Sequence, residues 1–383
     1  MKKGWQTKKL ADLVEVQNGY AFSSKDYSES GHFLMRIGNV QNGYISTADP
    51  KFIKLPADGS LQRFVLSEDD ILVSLTGNVG RVGVIQESHL PAALNQRVAR
   101  ISIRKDSPAT RELLLLFLCS DWFREELIGA GHGAAQQNVS TKDLVEIEIP
   151  VPPLAEQQRI VGLLDEAFEG LATAKANAEK NLQNARALFE SHLQSVFTQR
   201  APGWVKTTLD KISTNLDSKR VPITKNVRSS GEYPYYGASG IVDYVADYIF
   251  EGDNLLVSED GANLLARSTP IAFSVSGKYW VNNHAHILHF ENMATQRFTE
   301  FYLESIKLDD YITGAAQPKL NQKALNSIPI PIPKSVETQA KIVESVESLQ
   351  EETQRLARLY ERKHAALEAL KQSLLHQAFT GLL

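Results

Sequence analysis

The chain has 383 residues, of which 43% are hydrophobic and 22% charged, and its formal net charge is −4. This composition is typical of a globular protein, and the length allows roughly two to four domains. The slightly acidic charge excludes a protein that holds nucleic acid through its phosphates alone, because such proteins are basic. If the chain binds nucleic acid, a partner must supply phosphate contacts or contacts to base edges must dominate.

Cysteine usage and hydropathy narrow the setting further. The single cysteine, Cys119, excludes an internal disulfide and a zinc site built from several cysteines, and it fits a reducing cytosol. The apolar run 113–119 is far shorter than a membrane span, and the first residues contain no apolar core of a signal peptide. We therefore expect a cytoplasmic protein that does not cross a membrane.

The sequence repeats itself over a period of about half its length. Gly-Ala-Ala-Gln occurs at 133–136 and again at 314–317, and the segment 144–152 is echoed in the same register by 325–333. Solenoid and propeller repeats have periods of about 20–50 residues, so each copy here is a whole domain with an appended element. Two tandem copies predict an internal pseudo-two-fold axis and two similar surfaces, an arrangement suited to a bipartite target.

Each half begins with a region of short strands, turns and one short helix. In the first globule, residues 1–150, the pattern predicts strands at 71–75 and 98–103 and a helix at 111–129. In the second globule, residues 201–333, it predicts strands at 254–257 and 287–290 and a helix at 296–306. We expect an α+β fold with two tandem α/β globules.

A proline-rich segment lies at the end of each globule, at 149–153 and 328–333. Proline is excluded from helix interiors and pushes the preceding residue to an extended conformation. We expect stiff, extended connectors at both places. Each connector leads into a long helical pattern without proline, which we place in the segments 151–200 and 334–383.

Apolar residues recur along both helical segments at the spacing of a coiled coil. In the second segment the steps alternate between four and three, with polar breaks at Thr353 and Lys363; in the first, a stutter precedes Leu182. The predicted seam includes Ile160, Leu164, Leu171, Leu182, Ile342, Val346, Leu349, Leu356, Leu367, Leu370 and Leu374. Because neither seam can stay in water, an antiparallel pair of the two helices is the simplest solution. Packing of each helix on its own globule, or on another protein, is the alternative.

Polar side chains suited to reading base edges are concentrated in the loops of both globules. Such reading uses Asn, Gln, Arg, Lys, Ser and Thr, with aromatic residues and glycine for close approach. The candidates are Asn18, Tyr20, Arg36, Asn39, Asn42, Thr76, Asn78, Arg81, Asn95, Gln96, Arg97 and Gln136 in the first globule, and Lys219, Arg220, Tyr236, Asn263, Asn282, Asn283, His284, Gln317 and Lys319 in the second. Any one of these could be an ordinary polar turn. Segments 95–97 and 282–284 both come just before a predicted strand, which favours a shared role.

Motifs of the common enzyme classes are absent from the sequence. It has no P-loop, no Gly-x-Ser-x-Gly elbow and no Asn/Asp-Pro-Pro-Tyr/Phe motif of adenine methyltransferases, and the glycines of 77–83 do not open a helix of the dinucleotide-binding type. His284 and His286 would share one face of a strand and could hold a metal, but we favour hydrogen-bonding side chains on a polar strand face. We expect neither a catalytic site nor a metal site. The two Gly-Ala-Ala-Gln copies fit a structural turn and a turn near DNA equally well.

Two loop-rich globules alternating with two long helices resemble the specificity subunit of type I restriction–modification systems. The most specific segment is 149–161, Ile-Pro-Val-Pro-Pro-Leu-Ala-Glu-Gln-Gln-Arg-Ile-Val, which is similar to the first conserved spacer of that family; 328–343 is a weaker second copy and departs from it at 334–339. The segments 233–240 and 280–286 resemble the family's target-recognition domains. The resemblance extends over essentially the whole chain.

The resemblance implies a division of labour between subunits. Each globule would read one half of an asymmetric bipartite site in double-stranded DNA, and the coiled coil would set the spacing and dock two modification (methyltransferase) subunits. Restriction subunits would join them. S-adenosylmethionine, ATP and Mg²⁺ would bind to those partners, and this chain would bind no cofactor.

Two other classes of function remain open at this point. A stand-alone DNA methyltransferase or nuclease would need the missing catalytic motifs. A non-catalytic adaptor whose coiled coil joins two protein-binding domains fits the nearly neutral charge, and it predicts no sequence-dependent affinity for DNA.

Overall fold

The computed structural model describes residues 2–131, 138–199, 202–314 and 316–383. The chain divides into two compact units, one formed by residues 1–178 with 362–383 and the other by residues 179–361. The first unit therefore holds the first globule and the second unit holds the second globule, and each also contains part of both long helices. The domain boundaries predicted from the sequence stay predictions.

Within its described residues, the first globule consists of short strands and four short α-helices. Its elements in chain order are β1 (Gln6–Lys9), α1 (Leu10–Leu13), β2 (Val14–Asn18), β3 (Tyr27–Ser28), β4 (His32–Met35), β5 (Val40–Gln41), β6 (Tyr44–Ile45), β7 (Phe52–Ile53), β8 (Val65–Leu66), β9 (Ile71–Ser74), β10 (Val82–Val84), β11 (Ala92–Leu94), β12 (Val98–Ile103), α2 (Arg111–Leu118), α3 (Asp121–Ala130), α4 (Thr141–Val145) and β13 (Glu148–Val151). Strands β10-β9-β12-β2 form an antiparallel sheet, and β3-β7-β4-β11-β8 form a second sheet in which β4 and β11 are parallel.

The helix predicted at 111–129 is wrong as a single element. The structure has α2 and α3, separated at Cys119 and Ser120. The Ser120 hydroxyl accepts a hydrogen bond from the Phe123 amide at 3.1 Å and so caps α3. A serine that bonds its own backbone favours a new helix start over a helix interior.

The second globule repeats this topology. After α5 (Leu154–Thr198) come β14 (Trp204–Thr208), α6 (Leu209–Ile212), β15 (Thr214–Asn215), β16 (Ser230–Gly237), β17 (Gly240–Val245), β18 (Phe250–Glu251), β19 (Asn254–Ser258), α7 (Asn263–Ala266), β20 (Ala272–Val275), β21 (Lys278–Val281), β22 (Ala285–His289), α8 (Met293–Ser305), α9 (Gln322–Ser327), β23 (Pro329–Pro333) and α10 (Val336–Thr380). Sheet β20-β19-β22-β15 corresponds to β10-β9-β12-β2, and the parallel pair β16–β21 corresponds to β4–β11. The sequence repeat is thus a repeat of sheet order.

The proline-rich segments are extended, but they are strands rather than free connectors. Strand β13 pairs antiparallel with β1, and β23 pairs antiparallel with β14. Each sheet has only two strands, so a proline can lie in it with its missing N–H on the unpaired side. The prediction of simple connectors is corrected: each segment closes its globule by pairing with that globule's first strand.

Within each unit, α5 and α10 run antiparallel. In the first unit, Lys175 contacts Glu368 at 3.3 Å and Arg159 donates to the carbonyl of Leu383 at 2.8 Å. In the second unit, Arg186 contacts Glu361 at 3.2 Å. The residue numbers of the contacting residues on the α10 side therefore decrease as those on α5 increase. The predicted antiparallel coiled coil is confirmed as part of the α+β fold.

Most predicted seam positions lie on the buried side of the helices. Ile160, Leu164 and Val346 are buried, whereas Leu171, Leu182, Ile342, Leu349, Leu356, Leu367 and Leu374 are half-buried. Leu370 is exposed, so its place in the seam is wrong, and Leu375, Ala378 and Phe379 are buried instead. A period of 3.6 residues drifts past a strict heptad, which moves the seam along the last turns of α10. Among the described helices, none is both long enough and apolar enough to cross a membrane.

Candidate nucleic-acid interface

In the first globule, the candidate loops meet at one edge of the sheets. Strands β4 and β11 are parallel with Met35 opposite Leu94, so Arg36 and Asn95 follow them side by side. The Asn95 amide donates to the carbonyl of Met35 at 3.2 Å. Parallel strands present their carboxyl ends at the same edge, which is why loops distant in sequence converge here.

Two further loops join this edge through backbone bonds. Tyr20 forms a bridge with Asn95, and the Gln96 amide donates to the Tyr20 carbonyl at 2.8 Å. The Leu75 amide donates to the Arg97 carbonyl at 2.9 Å, which brings the loop after β9 alongside. The structure therefore brings together the candidates of segments 18–20, 36–42, 76–81 and 95–97.

A cavity of about 490 Å³ opens among these loops, lined by residues 36–39, 48–49 and 95–97. Gln96 and Arg97 on its rim are exposed. Arg97 has a φ of 68°, a left-handed conformation that costs energy in a residue with a side chain. Such strain persists where the surrounding structure imposes it, and it is concentrated at functional sites.

Several candidates in the first globule are engaged inside their own loops. Asn39 is buried; its side-chain oxygen accepts from the Arg36 amide at 3.1 Å and its nitrogen donates to the carbonyl of Ser46 at 3.0 Å. The Arg36 guanidinium contacts Asp49, and that of Arg81 donates to Gln41.

The remaining candidates of the first globule differ in exposure. Asn18, Tyr20, Asn42 and Asn78 are exposed, whereas Thr76 and Asn95 are buried. Gln136 and the first Gly-Ala-Ala-Gln copy lie outside the described residues. Binding of bases by any of these side chains stays a prediction.

The second globule builds the same edge. Asn282, Asn283 and His284 come directly before β22, as segment 95–97 comes before β12, so the predicted shared framing is confirmed. The Leu320 amide donates to the Glu259 carbonyl at 2.8 Å, as the Val139 amide donates to the Leu75 carbonyl at 2.9 Å in the first globule. The segment after the second Gly-Ala-Ala-Gln copy, of which Ala315 is not described, therefore returns to this edge.

The candidates of the second globule also divide into exposed and engaged side chains. Lys219, Asn283, His284, Gln317 and Lys319 are exposed. Tyr236 is half-buried and its carbonyl accepts from the backbone amide of Asn282, whose side chain is buried. The Asn263 side chain bonds the backbone of Thr269 in both directions, at 2.9 and 3.0 Å.

An ionic cluster beneath these loops, largely buried except for the exposed Lys319, was not predicted from the sequence. It consists of Asp217, Arg220, Glu259, His286 and Lys319. Asp217 accepts from Nδ1 of His286 at 2.5 Å, and Glu259 contacts Arg220 at 2.7 Å and Lys319 at 3.1 Å. The cluster joins four segments that carry candidate DNA-binding residues. Only the spacing of His286 within its strand could have pointed to it.

The charges of the cluster hold its carboxyl groups ionised. Burial alone would raise the pKa of Asp217, but the hydrogen bond and charge of His286 outweigh it, and the net pKa lies below its usual value. Burial alone would likewise raise the pKa of Glu259. The hydrogen bonds from Arg220 and Lys319 and the charge of His286 outweigh burial, so the pKa of Glu259 is also lowered. Both acids are thus anionic at neutral pH.

The cluster is a poor metal site although its donors are close together. Asp217, Glu259 and His286 offer ligand atoms within 4.8 Å of one another. Nε2 of His286 donates to the carbonyl of Leu320 at 2.7 Å, and Arg220 and Lys319 already neutralise the carboxylates. A histidine that binds a metal must keep one ring nitrogen without a proton. Here both ring nitrogens of His286 face hydrogen-bond acceptors, Asp217 and the carbonyl of Leu320, which favour a proton on each nitrogen. His284 lies before β22 and bonds Asp260 at 2.9 Å, so the expectation that both histidines share one strand face is wrong.

Comparison with known proteins matches most of the chain to one family. The family model described as Type I restriction modification DNA specificity domain matches residues 2–182 and 202–361. A type I restriction enzyme specificity subunit of Haemophilus influenzae is 34% identical over 173 residues, which cover 45% of this chain and 43% of that protein. This chain thus spans less than half the length of that relative.

Other similar proteins match along the whole chain at lower identity. The StySPI specificity subunit of Salmonella potsdam is 22% identical over 417 residues, covering 100% of this chain and 89% of that protein. A solved chain from work on complex assembly and conformational transition of the type I R-M system has a TM-score of 0.78 at 18% identity, covering 99% of this chain and 98% of that one. At that identity the likeness shows a shared fold. Because the family model matches both halves of the sequence, the chain belongs to the family of type I restriction modification DNA specificity domains.

Proposed function

We propose that this chain is the DNA-reading subunit of a type I restriction–modification complex and that each globule reads one half of an asymmetric bipartite site. The observation that carries the proposal is the repetition of one sheet edge. In both units the loop before the equivalent strand, β12 or β22, presents exposed polar side chains, among them Gln96, Arg97, Asn283 and His284. Amide and guanidinium groups on loops are the groups that read base edges in the major groove.

The coiled coil is proposed to set the distance between the half-sites. Helices α5 and α10 each have 45 residues, which corresponds to about 68 Å at 1.5 Å per residue. Because a helix has a fixed rise per residue, its length defines a distance that does not depend on the DNA sequence. In two-headed DNA readers generally, the separation of the heads fixes the spacing of the half-sites.

The outer faces of the long helices are proposed to dock two modification subunits. Leucines remain exposed there: Leu163 and Leu188 on α5, and Leu359 and Leu370 on α10 are each at least 42% exposed. Modification subunits would bind S-adenosylmethionine and methylate adenine after flipping it out of the duplex, and restriction subunits would use ATP and Mg²⁺. This chain would bind no cofactor and catalyse no step, and the partners would supply phosphate contacts that a net charge of −4 does not.

The first test is sequencing of methylated adenine in DNA from cells that express the chain with its cognate modification subunit, compared with cells that lack the chain. A split motif that depends on the chain is the expected result. Exchange of residues 1–150 for another first globule should then change one half of the motif and leave the other half and the spacing intact. A soluble complex without any chain-dependent motif would contradict the proposal and favour an adaptor that joins two protein-binding domains.

The proposed role of the coiled coil in spacing is tested by changing the length of its helices. Insertion of four residues near Ala178 adds about 6 Å to α5 and should be matched by the same insertion at the opposite position of α10. The expected result is a longer gap between unchanged half-sites. Retention of the original gap by the folded variant would refute the role of the helices in spacing.

A further inference from the structure

Each long helix is fastened to its own globule by one buried glutamine at the same position of the repeat. Gln157 lies three residues after the start of α5, and Gln339 lies three residues after the start of α10. Their exposed fractions are 1% and 4%. A buried amide is expensive unless its donors and acceptor are bonded, so these two side chains must be explained by their partners.

Gln157 bonds three backbone groups of the first unit. Its Nε2 donates to the carbonyls of Pro108 at 2.7 Å and Pro152 at 2.8 Å, and its Oε1 accepts from the amide of Thr110 at 2.8 Å. Thr110 caps α2, and Pro152 follows directly after β13. One side chain thus joins the first turn of α5 to the strand before it and to the start of another helix.

Gln339 makes the equivalent connection in the second unit. Its Nε2 donates to the carbonyl of Pro333 at 2.7 Å, and Pro333 corresponds to Pro152 in the sequence repeat. Its Oε1 accepts from the hydroxyl of Thr295 at 2.7 Å, in the first turn of α8. Although the partners on the globule side differ, the same joint is built twice.

Such a joint fixes the direction in which the helix leaves its globule. Rotation or tilt of the first turn would leave buried carbonyls and an amide without partners, which is costly. A small change in the direction of a helix at its globule has a large effect at the far end, because the helices are long. A tilt of about 3° over a helix of about 68 Å moves its far end by about 3.5 Å, close to the axial rise of about 3.4 Å for one base pair.

We propose that Gln157 and Gln339 are positioning residues that determine how strictly the protein selects the spacing between its two half-sites. The inference rests on the proposed function. Loss of either side chain leaves the base-reading loops in place, because these loops are built by the sheet edge and, in the second globule, by the ionic cluster. The loss loosens the joint between the globule and its long helix, so that half-site spacings close to the native one are also accepted.

The experiment uses the full chain in complex with its cognate modification subunit. DNA substrates carry the two half-sites at the native spacing and at spacings one base pair shorter and longer, and the methylation rate is measured on each. The variants are Gln157→Leu and Gln339→Leu, which keep the volume and remove the hydrogen bonds, and Thr295→Val, which removes the hydroxyl that bonds Gln339 and also lies 2.9 Å from Oδ1 of Asn292. Gln158→Leu is the matched control, because Gln158 is exposed in the same helical turn.

The preference for the native spacing should fall by about tenfold in both glutamine variants, which corresponds to about 1.4 kcal/mol, and by a smaller factor in Thr295→Val. The half-site sequences should not change, and Gln158→Leu should behave as the unmodified chain does. Unchanged spacing preference in the folded variants would overturn the inference, and so would altered half-site sequences. If a glutamine variant does not fold, Thr295→Val decides. Absence of any split motif with the unmodified chain would instead count against the proposed function.

Discussion

Removal of one charge from the ionic cluster should destabilise the second unit strongly. Asp217→Asn keeps the shape of the side chain and removes its charge. The side chain is 6% exposed and faces Nδ1 of His286 at 2.5 Å and Arg220 at 3.5 Å. Its other oxygen accepts from the Ile287 amide at 2.9 Å, a bond that asparagine can keep. The variant therefore loses the electrostatic part of the contact and leaves a buried cationic environment with less compensation.

The expected cost is at the lower end of the range for breaking a buried ion pair, about 3 kcal/mol. The second unit comprises residues 179–361. For a unit of this size, about 3 kcal/mol lowers the thermal midpoint by about 6–12 °C. Calorimetry of the full chain at neutral pH measures this. Glu337→Gln is the matched control, because Glu337 pairs with Lys341 at the surface, where both side chains are more than 70% exposed and the pair is worth less than about 1 kcal/mol.

The pH dependence supplies a second measurement on the same variant. Since the folded-state pKa of Asp217 is below its ordinary value of 3.8, the carboxylate stabilises the fold above that pH, and this contribution is lost as the pH falls further. The difference in stability between the unmodified chain and Asp217→Asn should therefore be largest near neutral pH and shrink below about pH 4. Equal thermal midpoints for Asp217→Asn and Glu337→Gln would refute the reasoning.

Three other predictions concern the helix pair, the start of α5 and the candidate base-reading edge. Leu164→Ala should lower the free energy of unfolding by about 2–5 kcal/mol, because Leu164 is only 1% exposed. Leu163 is 45% exposed, so Leu163→Ala should change the free energy of unfolding, measured by chemical denaturation, by about 0.5 kcal/mol or less. Hydrogen bonds from Arg159 and Lys2 lower the pKa of Glu156 to about 2. Its contribution to stability, measured by urea titration, should therefore be present above about pH 4.5 and disappear as the pH falls towards 2. Glu156→Gln should not show this loss. Arg97→Ala should relax one position of one half-site and slow methylation by about tenfold or more at an unchanged thermal midpoint, and equal rates on all bases would exclude direct reading by Arg97.

Features with a local period were predictable from the sequence. The coiled-coil pattern identified Ile160, Leu164 and Val346, which are all buried, because burial on a helix depends on spacing within a few turns. The repeat of whole segments predicted two similar globules, and the two sheets do share one strand order. The loop positions before β12 and β22 were predictable for the same reason.

Features that depend on distant segments were not predictable. Strand β13 pairs with β1, which lies about 140 residues earlier, and nothing in a proline-rich segment specifies that partner. The ionic cluster likewise joins Asp217, Glu259, His286 and Lys319 from four segments that are far apart in the sequence, and no local pattern in any of them specifies the others. Gln157 and Gln339 were missed because a glutamine near a helix start is usually exposed, and only the folded joint shows their partners.

The internal pairing of loop cations reconciles the nearly neutral charge of the chain with its proposed role in reading DNA. The guanidinium of Arg36 contacts Asp49, and Arg220 and Lys319 contact Glu259, so these positive charges stabilise the loops and contribute little to a field around the protein. Loops ordered before binding lose less conformational entropy when they contact a ligand. Affinity that depends on phosphates does not distinguish sequences, whereas rigidly held side chains do. A subunit whose proposed role is selectivity therefore gains from internal ion pairs, and it can leave the neutralisation of phosphates to its partners.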